Sequence, residues 1–215
     1  MTHDDGADQP HGADAQAAEW DARYGERPGT MWSGRPNGRL VAEVTPLTPG
    51  RALDVGCGEG ADAIWLAQQG WAVTAVDVSE VALERAREAA AGAAVSVDWR
   101  GGDVFGIALE EGSFDLLSLQ YPALPKAAGE AAVQALLRTL RPGGLLLAVY
   151  HDLDDEHRAQ MASRGHDPAQ YVGADDLLAV AGEDFALELH AVEPRLDPPP
   201  GTAHVADLVV RARRR

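Results

Sequence analysis

Only one cysteine, Cys57, occurs in 215 residues. No intrachain disulfide is possible, and nothing marks an oxidising compartment. No apolar run reaches the roughly 18 residues that cross a bilayer. The N-terminal MTHDDGADQPHGADAQ lacks the basic start and apolar stretch of a signal peptide. A cytoplasmic location is therefore expected. Positive charge is scarce: 18 Lys and Arg stand against 34 Asp and Glu, for a formal net charge of -16. That field opposes phosphate backbones and anionic lipid surfaces, so neither nucleic acid nor a membrane is an expected partner. Arg211, Arg213, Arg214 and Arg215 are a local exception and read as a solvated tail. There is no internal repeat.

Hydrophobic residues make up 46% of the chain, enough for a core, and the length suits one α/β domain. Residues 1–15 are polar and read as a disordered lead. Residues 16–48 carry Trp20, Tyr24 and Trp32 and read as an aromatic cap segment. Residues 49–215 read as the domain proper.

Within that domain, strand and helix patterns alternate. Ala52–Val55, Ala72–Val76, Val95–Val97, Phe114–Leu119 and Leu145–Tyr150 read as strands. Between them, Ala61–Gln69 is helical. Ala82, Ala86 and Ala90 share one helix face after an N-cap at Ser79, and Val133, Leu136, Leu137 and Leu140 follow amphipathic spacing. Arg141-Pro142-Gly143-Gly144 reads as a turn. After a helical Asp175–Ala181 come strands Phe185–Val192 and Val205–Arg211. Pro194 and Pro198-Pro199-Pro200 separate them, so no crossover helix fits and an antiparallel pair is expected. The fold class is thus a doubly wound, Rossmann-like α/β sheet, mostly parallel, with a C-terminal antiparallel pair. Such sheets bind ligands at the carboxyl ends of their strands.

Gly56, Gly58 and Gly60 follow the first strand directly. Glycines allow a sharp turn and close ligand approach, and the next helix points free N–H groups at the same place. Asp54 precedes the loop. Asp77 ends the second strand 21 positions after Gly56, where an acid can accept from both hydroxyls of a ribose. Gly56, Gly58 and Ala61 also satisfy the dinucleotide pattern, so the spacing alone leaves the cofactor open.

Leu53-Asp54-Val55-Gly56-Cys57-Gly58-Glu59-Gly60 resembles the first motif of class I S-adenosylmethionine (SAM)-dependent methyltransferases. The resemblance implies SAM as cofactor and S-adenosylhomocysteine as product. It implies Asp77 at the SAM ribose, with Val78 beside it, and Asp103 at the adenine amine, with Val104 beside it. Gly101–Val104, Phe114–Ser118 and Leu140–Gly144 resemble the family's later motifs, and Gln120 ends the fourth strand at the cofactor. Together they extend the likeness from about residue 50 to 211. Trp20-Asp21-x-Arg23-Tyr24 and Trp32-Ser33-Gly34-x-Pro36-Asn37 resemble small bacterial methyltransferases of the tellurite-resistance and thiopurine group. That likeness implies a small-molecule acceptor methylated at S, N, O or a chalcogen.

Methyl transfer needs mainly positioning, and a soft nucleophile needs no base. Trp20, Tyr24 and Trp32 either cap the pocket or simply pack the N-terminal segment onto the domain; the group is read as a cap. Tyr121 follows the fourth strand and His151 the fifth, which makes them the candidate catalytic residues. Their bland alternatives are a loop aromatic and a hydrogen-bonded loop histidine. Cys57 reads as a small packed side chain. The acid-rich His151–His157 stretch matches no metal motif and reads as a helix start, so no metal is expected.

Two other functions remain open. An NAD(P)-dependent reductase shares the loop and acid but has no visible hydride-transfer dyad here. A non-catalytic SAM- or nucleotide-binding module is the second. A nucleic-acid methyltransferase is disfavoured, because Gln120-Tyr121-Pro122-Ala123 stands where the Asp/Asn-Pro-Pro-aromatic motif would lie. A monomer or a homodimer is expected.

Overall fold

A computed structural model describes residues 12–163, 167–198, 202 and 204–215. Fourteen main elements alternate along it. They are α1 (Gly12–Gly25), α2 (Gly38–Val44), β1 (Arg51–Val55), α3 (Ala61–Gln68), β2 (Ala72–Asp77), α4 (Glu80–Gly92), β3 (Asp98–Gly101), β4 (Phe114–Gln120), α5 (Glu130–Arg138), β5 (Leu140–His151), α6 (Asp155–Ser163), α7 (Ala174–Ala181), β6 (Phe185–Pro194) and β7 (Ala206–Arg214).

The strands form one sheet in the order β3-β2-β1-β4-β5-β7-β6. The first five run parallel, and β7 lies antiparallel between β5 and β6. The order reverses between β1 and β4, which opens a crevice at their carboxyl ends.

Each central strand is apolar on both faces, as a sheet covered on both sides requires. Leu53, Leu117, Leu119, Leu146 and Val210 point to the layer holding α5 and α7. Their neighbours Ala52, Leu116, Leu145, Leu147 and Val209 point to the layer holding α2 and α3. Ser79 caps α4 as the spacing predicts, its hydroxyl accepting from Ala82 N–H at 3.1 Å.

Several expectations need correction. The third strand is Asp98–Gly101, with 95–97 as its lead-in. It is an edge strand paired only with β2, so it carries no continuous apolar run. Arg141–Gly144 belongs to the bulged start of β5: Phe114 pairs with Leu140, but Leu116 pairs with Leu145. Proline is tolerated there because a bulge releases the ladder N–H. Leu140 therefore lies in β5, beyond the end of α5.

Gly12–Ala15 of the expected lead already belong to α1, an alanine-rich helix packed on α4; residues 1–11 lie outside the described residues. Pro199 and Pro200 of the expected loop, and residues 164–166, also lie outside them. The terminal arginines are no tail. Arg211 and Arg213 pair with Glu188, and Arg214 binds the carbonyl of Arg138 at 2.7 Å, which ties down the end of β7. No described helix is long and apolar enough to cross a membrane.

Candidate active site

β1 runs straight into the glycine loop. Gly56, Gly58 and Gly60 have φ of +71°, +51° and +82°, a region that favours glycine. Their surroundings differ. A side chain at Gly56 would meet nothing within 4 Å. One at Gly58 would lie 2.8 Å from the Tyr24 hydroxyl, and one at Gly60 would lie 2.6 Å from the Trp99 ring. Gly60 thus serves packing and Gly58 admits the cap, while Gly56 leaves backbone open to a ligand.

Asp77 braces this loop. Its Oδ2 accepts the Gly58 N–H at 2.8 Å, and its Oδ1 accepts the Ser79 N–H at 2.9 Å. Gly56 and Cys57 both donate to the Val76 carbonyl. Burial raises the pKa of Asp77 while those two N–H bonds oppose the rise. A carboxylate offers about four lone-pair positions, so about two stay available. Val78 beside it is half-buried.

Asp54 lies beneath the loop, 2% exposed. The Ser118 hydroxyl bonds its carboxyl, and Gln120 Nε2 donates to Ser118 Oγ at 3.2 Å. The outer atoms of this chain, Asp54 Oδ2 and Gln120 Oε1, are buried without a partner. Buried acceptors of this kind call for a donor. Burial, and then nearby Asp62, push the Asp54 pKa well up. Asp62 itself is raised to about 6 by burial, against a 2.6 Å bond from the Asn37 N–H.

Across the next loop, Gly102 N–H bonds the Asp77 carbonyl at 2.9 Å and Asp103 Oδ1 accepts the Phe105 N–H at 3.0 Å. Val104, expected at the cofactor, has its side chain in the apolar core at 7% exposure, so it anchors Asp103 and offers no polar group. Cys57 is half-buried against the α3-side core, with its thiol pKa pushed well up by burial and by Asp77; it is no thiolate.

The cap segment reaches this loop. Trp32 Nε1 donates to the Tyr24 hydroxyl at 3.0 Å, and both groups stand over Gly58. Tyr24 is 3% exposed and Trp32 56%. Trp20 sits beside this pair. Its ring sits 6.0 Å from Tyr24, with the Arg23 guanidinium 4.7 Å over it, so the cation it meets is from its own helix. Two ties were not foreseen. Asp21 Oδ1 accepts the Ser79 hydroxyl at 2.6 Å and the Val81 N–H at 3.2 Å, which fixes α1 to the start of α4. Glu59 accepts the Met31 and Trp32 N–H groups at 2.9 and 3.1 Å and pairs with Arg85 at 2.9 Å. Arg85 in turn donates to the carbonyls of Tyr24 and Arg27. Glu59 stands inside the glycine motif itself, so it was the one visible signal.

Tyr121 and His151 do come together. Tyr121 has φ +53°, and its N–H bonds the Val149 carbonyl at 2.7 Å. Its ring stacks on His151 with centroids 4.3 Å apart and planes at 15°. Three residues the sequence reading passed over complete the group. The Tyr121 hydroxyl donates to Asp207 Oδ1 at 2.8 Å. His204 Nε2 lies 3.3 Å from that oxygen, and His204 Nδ1 lies 2.7 Å from His151 Nδ1. Arg195 approaches His204 Nδ1 at 3.0 Å and the Tyr121 ring at 5.4 Å. Asp207 is wholly buried, with Oδ2 unpartnered. An aspartate inside the apolar run Val205–Val210 was the available clue. Partial burial of the ring, then His204 and Arg195, lower the His151 pKa to about 4, so the ring is neutral near pH 7. Burial, with Asp207, raises that of Tyr121. Further along, His157 pairs with Asp154 at the start of α6. Among the described residues no His, Cys, Asp and Glu group is arranged to hold a metal.

A groove of about 300 Å³ lies between α3 and α4, lined by Trp65, Gln68, Arg85 and Ala89 and reaching Glu59 of the loop and Pro36 of the cap segment.

The methyltransferase domain family matches residues 52–144. The chain is similar to the ubiquinone biosynthesis O-methyltransferase of Xanthomonas oryzae pv. oryzae, 29% identical over 170 residues. The match covers 79% of this chain and 60% of that relative's length. Among solved structures it resembles one described as "Conversion of a Disulfide Bond into a Thioacetal Group during Echinomycin Biosynthesis", with a TM-score of 0.71, 27% identity, and 93% and 91% of the two chains covered. It also resembles the N-methyltransferase NodS from Bradyrhizobium japonicum WM9 in complex with S-adenosyl-L-homocysteine, with a TM-score of 0.61, 21% identity, and 81% and 83% covered. With the glycine loop and both acids in place, residues 52–144 match the methyltransferase domain family, and the 3-2-1-4-5-7-6 sheet has the fold of these solved structures.

Proposed function

We propose that the protein transfers the methyl group of SAM to a small-molecule nucleophile and releases S-adenosylhomocysteine. The observation that carries this reading is the pair of buried, unpartnered acceptors Asp54 Oδ2 and Gln120 Oε1 beside the open backbone at Gly56. An ammonium group such as that of SAM supplies the donors these two atoms lack. The lone pairs left on Asp77 suit a ribose diol, and Asp103 suits the adenine amine. Cys57, Gly58 and Gly60 contribute backbone, and Val78 and Val104 contribute apolar flanks.

When bound, SAM supplies a methyl carbon activated by its positively charged sulfur. The chain's own work is to hold the acceptor in line and to exclude water. Tyr24 and Trp32 over Gly58 suit that second task. The cap's ties through Asp21 and Glu59 give structural work to the N-terminal residues that resemble the tellurite-resistance and thiopurine group, which supports membership of it. The net charge of -16 favours a small acceptor over a nucleic acid. The O-methyltransferase relative adds weight to an oxygen acceptor among S, N, O and chalcogen.

Calorimetric titration with SAM and S-adenosylhomocysteine, with NADH as control, tests the reading. Micromolar binding of the two SAM-type ligands and none of NADH is expected. Folded protein that binds NADH alone overturns it in favour of the reductase.

A further inference from the structure

We propose that Asp207, His204 and His151 form a proton relay ending at His151 Nε2, which serves as general base for a hydroxyl acceptor of the phenol or enol class. This rests on the methyl-transfer reading above and narrows it.

The geometry fixes the tautomers. A guanidinium only donates, so the Arg195 contact at 3.0 Å makes His204 Nδ1 an acceptor. The His204 proton then sits on Nε2, facing Asp207 Oδ1 at 3.3 Å. His151 Nδ1 lies 2.7 Å from the same His204 Nδ1 and 3.3 Å from its Nε2; the shorter contact faces the acceptor, which makes His151 Nδ1 the donor. A neutral His151 therefore carries its proton on Nδ1 and leaves Nε2 bare. The Tyr121 hydroxyl, donating to Asp207 Oδ1 at 2.8 Å, holds the carboxylate in place, and its ring supports His151 from one face. His151 keeps an exposed edge through which an acceptor can reach it. The relay also lies at the right end of the sheet. Tyr121 directly follows Gln120, whose unpartnered oxygen faces the proposed ammonium seat, and His151 ends the neighbouring strand opposite Asp207.

Which acceptors need such a base follows from their acidity. A thiol is already a few per cent thiolate at neutral pH and strongly nucleophilic, and a neutral amine attacks without losing a proton first. A phenol, with a pKa of about 10, is almost wholly protonated. Its oxygen becomes a far stronger acid as the new O–C bond forms, so even a weakly basic imidazole takes the proton at that moment. The balance is simple. The acceptor's O–C bond forms, the methyl–sulfur bond breaks with its electron pair left on sulfur, and the O–H proton moves to His151 Nε2. The positive charge lost at sulfur reappears on the imidazole pair. There the shift of the Nδ1 proton toward His204 carries it next to Asp207. His151 then returns the proton to water through its exposed edge. The charged and titratable groups facing His151 are Tyr121, His204, Arg195 and, through His204, Asp207.

Two measurements test this. Long-range proton–nitrogen NMR on the ligand-free protein should show His151 protonated at Nδ1 and His204 at Nε2 near pH 7. The opposite tautomer on His151 overturns the relay whether or not any acceptor is turned over. With SAM and a panel of one phenol, one thiol and one amine, His151→Ala and His151→Gln should lower kcat for the phenol by about 100-fold or more. Both variants should leave S-adenosylhomocysteine affinity within twofold, and added imidazole should restore part of the activity of His151→Ala. His204→Ala and Asp207→Asn, as positioning changes, should lower kcat roughly tenfold with KM unchanged. Wild-type kcat on the phenol in a folded His151→Ala protein overturns the proposal while leaving the methyl-transfer reading intact. Failure of the wild type to bind S-adenosylhomocysteine would remove that reading instead.

Discussion

The two ends of the binding crevice are built in different ways. The cofactor end is short-range: Asp54, the three loop glycines, Asp77 and Ser79 lie within 26 residues, and its bracing bonds run mostly between backbone N–H groups and one carboxylate. The proposed acceptor end is long-range. Tyr121, His151, Arg195, His204 and Asp207 come from four separate stretches, and their polar contacts with one another run through side chains. A backbone-built site is set by local conformation. A side-chain-built site depends on the register of β5 against β7, which places His151 opposite Asp207.

If that contrast holds, the harshest damage comes from disturbing the loop. Gly60→Val should cost about 3 kcal/mol or more, combining a left-handed φ with a clash against Trp99 and Ala86. Thermal unfolding should show a Tm lower by roughly 6–12 °C. An unchanged Tm would mean that the loop is more adaptable than its geometry implies.

A smaller effect is expected from Asp77→Ala, which removes both the loop brace and the proposed ribose acceptor. SAM affinity should fall at least tenfold, about 1.4 kcal/mol, by calorimetry. Unchanged affinity in a folded variant would contradict the ribose assignment. His151→Ala should leave SAM affinity alone, and a parallel loss in both variants would erase the distinction between the two ends.

The pH response sharpens the same contrast. Asp62 has its pKa raised from 3.8 to about 6 in the folded chain. A raised carboxyl stabilises the fold most below its unfolded pKa, and that contribution is lost as pH rises through the folded value. Asp62→Asn keeps an acceptor for the Asn37 N–H and abolishes the titration. Its Tm relative to wild type should therefore climb between pH 4 and pH 6 and level off above, by a few °C, roughly. A flat difference across that window would count against the buried-carboxyl account of Asp54 and Asp62.

Least should follow from Trp32→Phe. It deletes the bond to the Tyr24 hydroxyl at a half-open position, with about 1 kcal/mol or less at stake. SAM affinity should drop no more than about fivefold. A larger loss would make the cap part of the cofactor site and not only a cover.

The strand-helix alternation and the antiparallel final pair were legible because each central strand repeats an apolar run and each helix its own period. β3 was misplaced because an edge strand carries no such run. The bulge at Arg141–Gly144 was taken for a turn because Pro and Gly signal both. At the site, Asp54, Gly56, Gly58, Gly60 and Asp77 were legible from order and spacing. The tie from Glu59 to Arg85 was not, since an ion pair between a loop and the second helix after it leaves no periodic trace.

The sequence by itself determined the sheet, the glycine loop and the two acids, because their conformations depend on residues close along the chain. Only the tertiary structure decided that Asp54 and Gln120 are left with empty acceptors and that His151 meets His204 and Asp207. Those facts depend on burial and on strand register, which bring together residues more than 50 positions apart and deny them water.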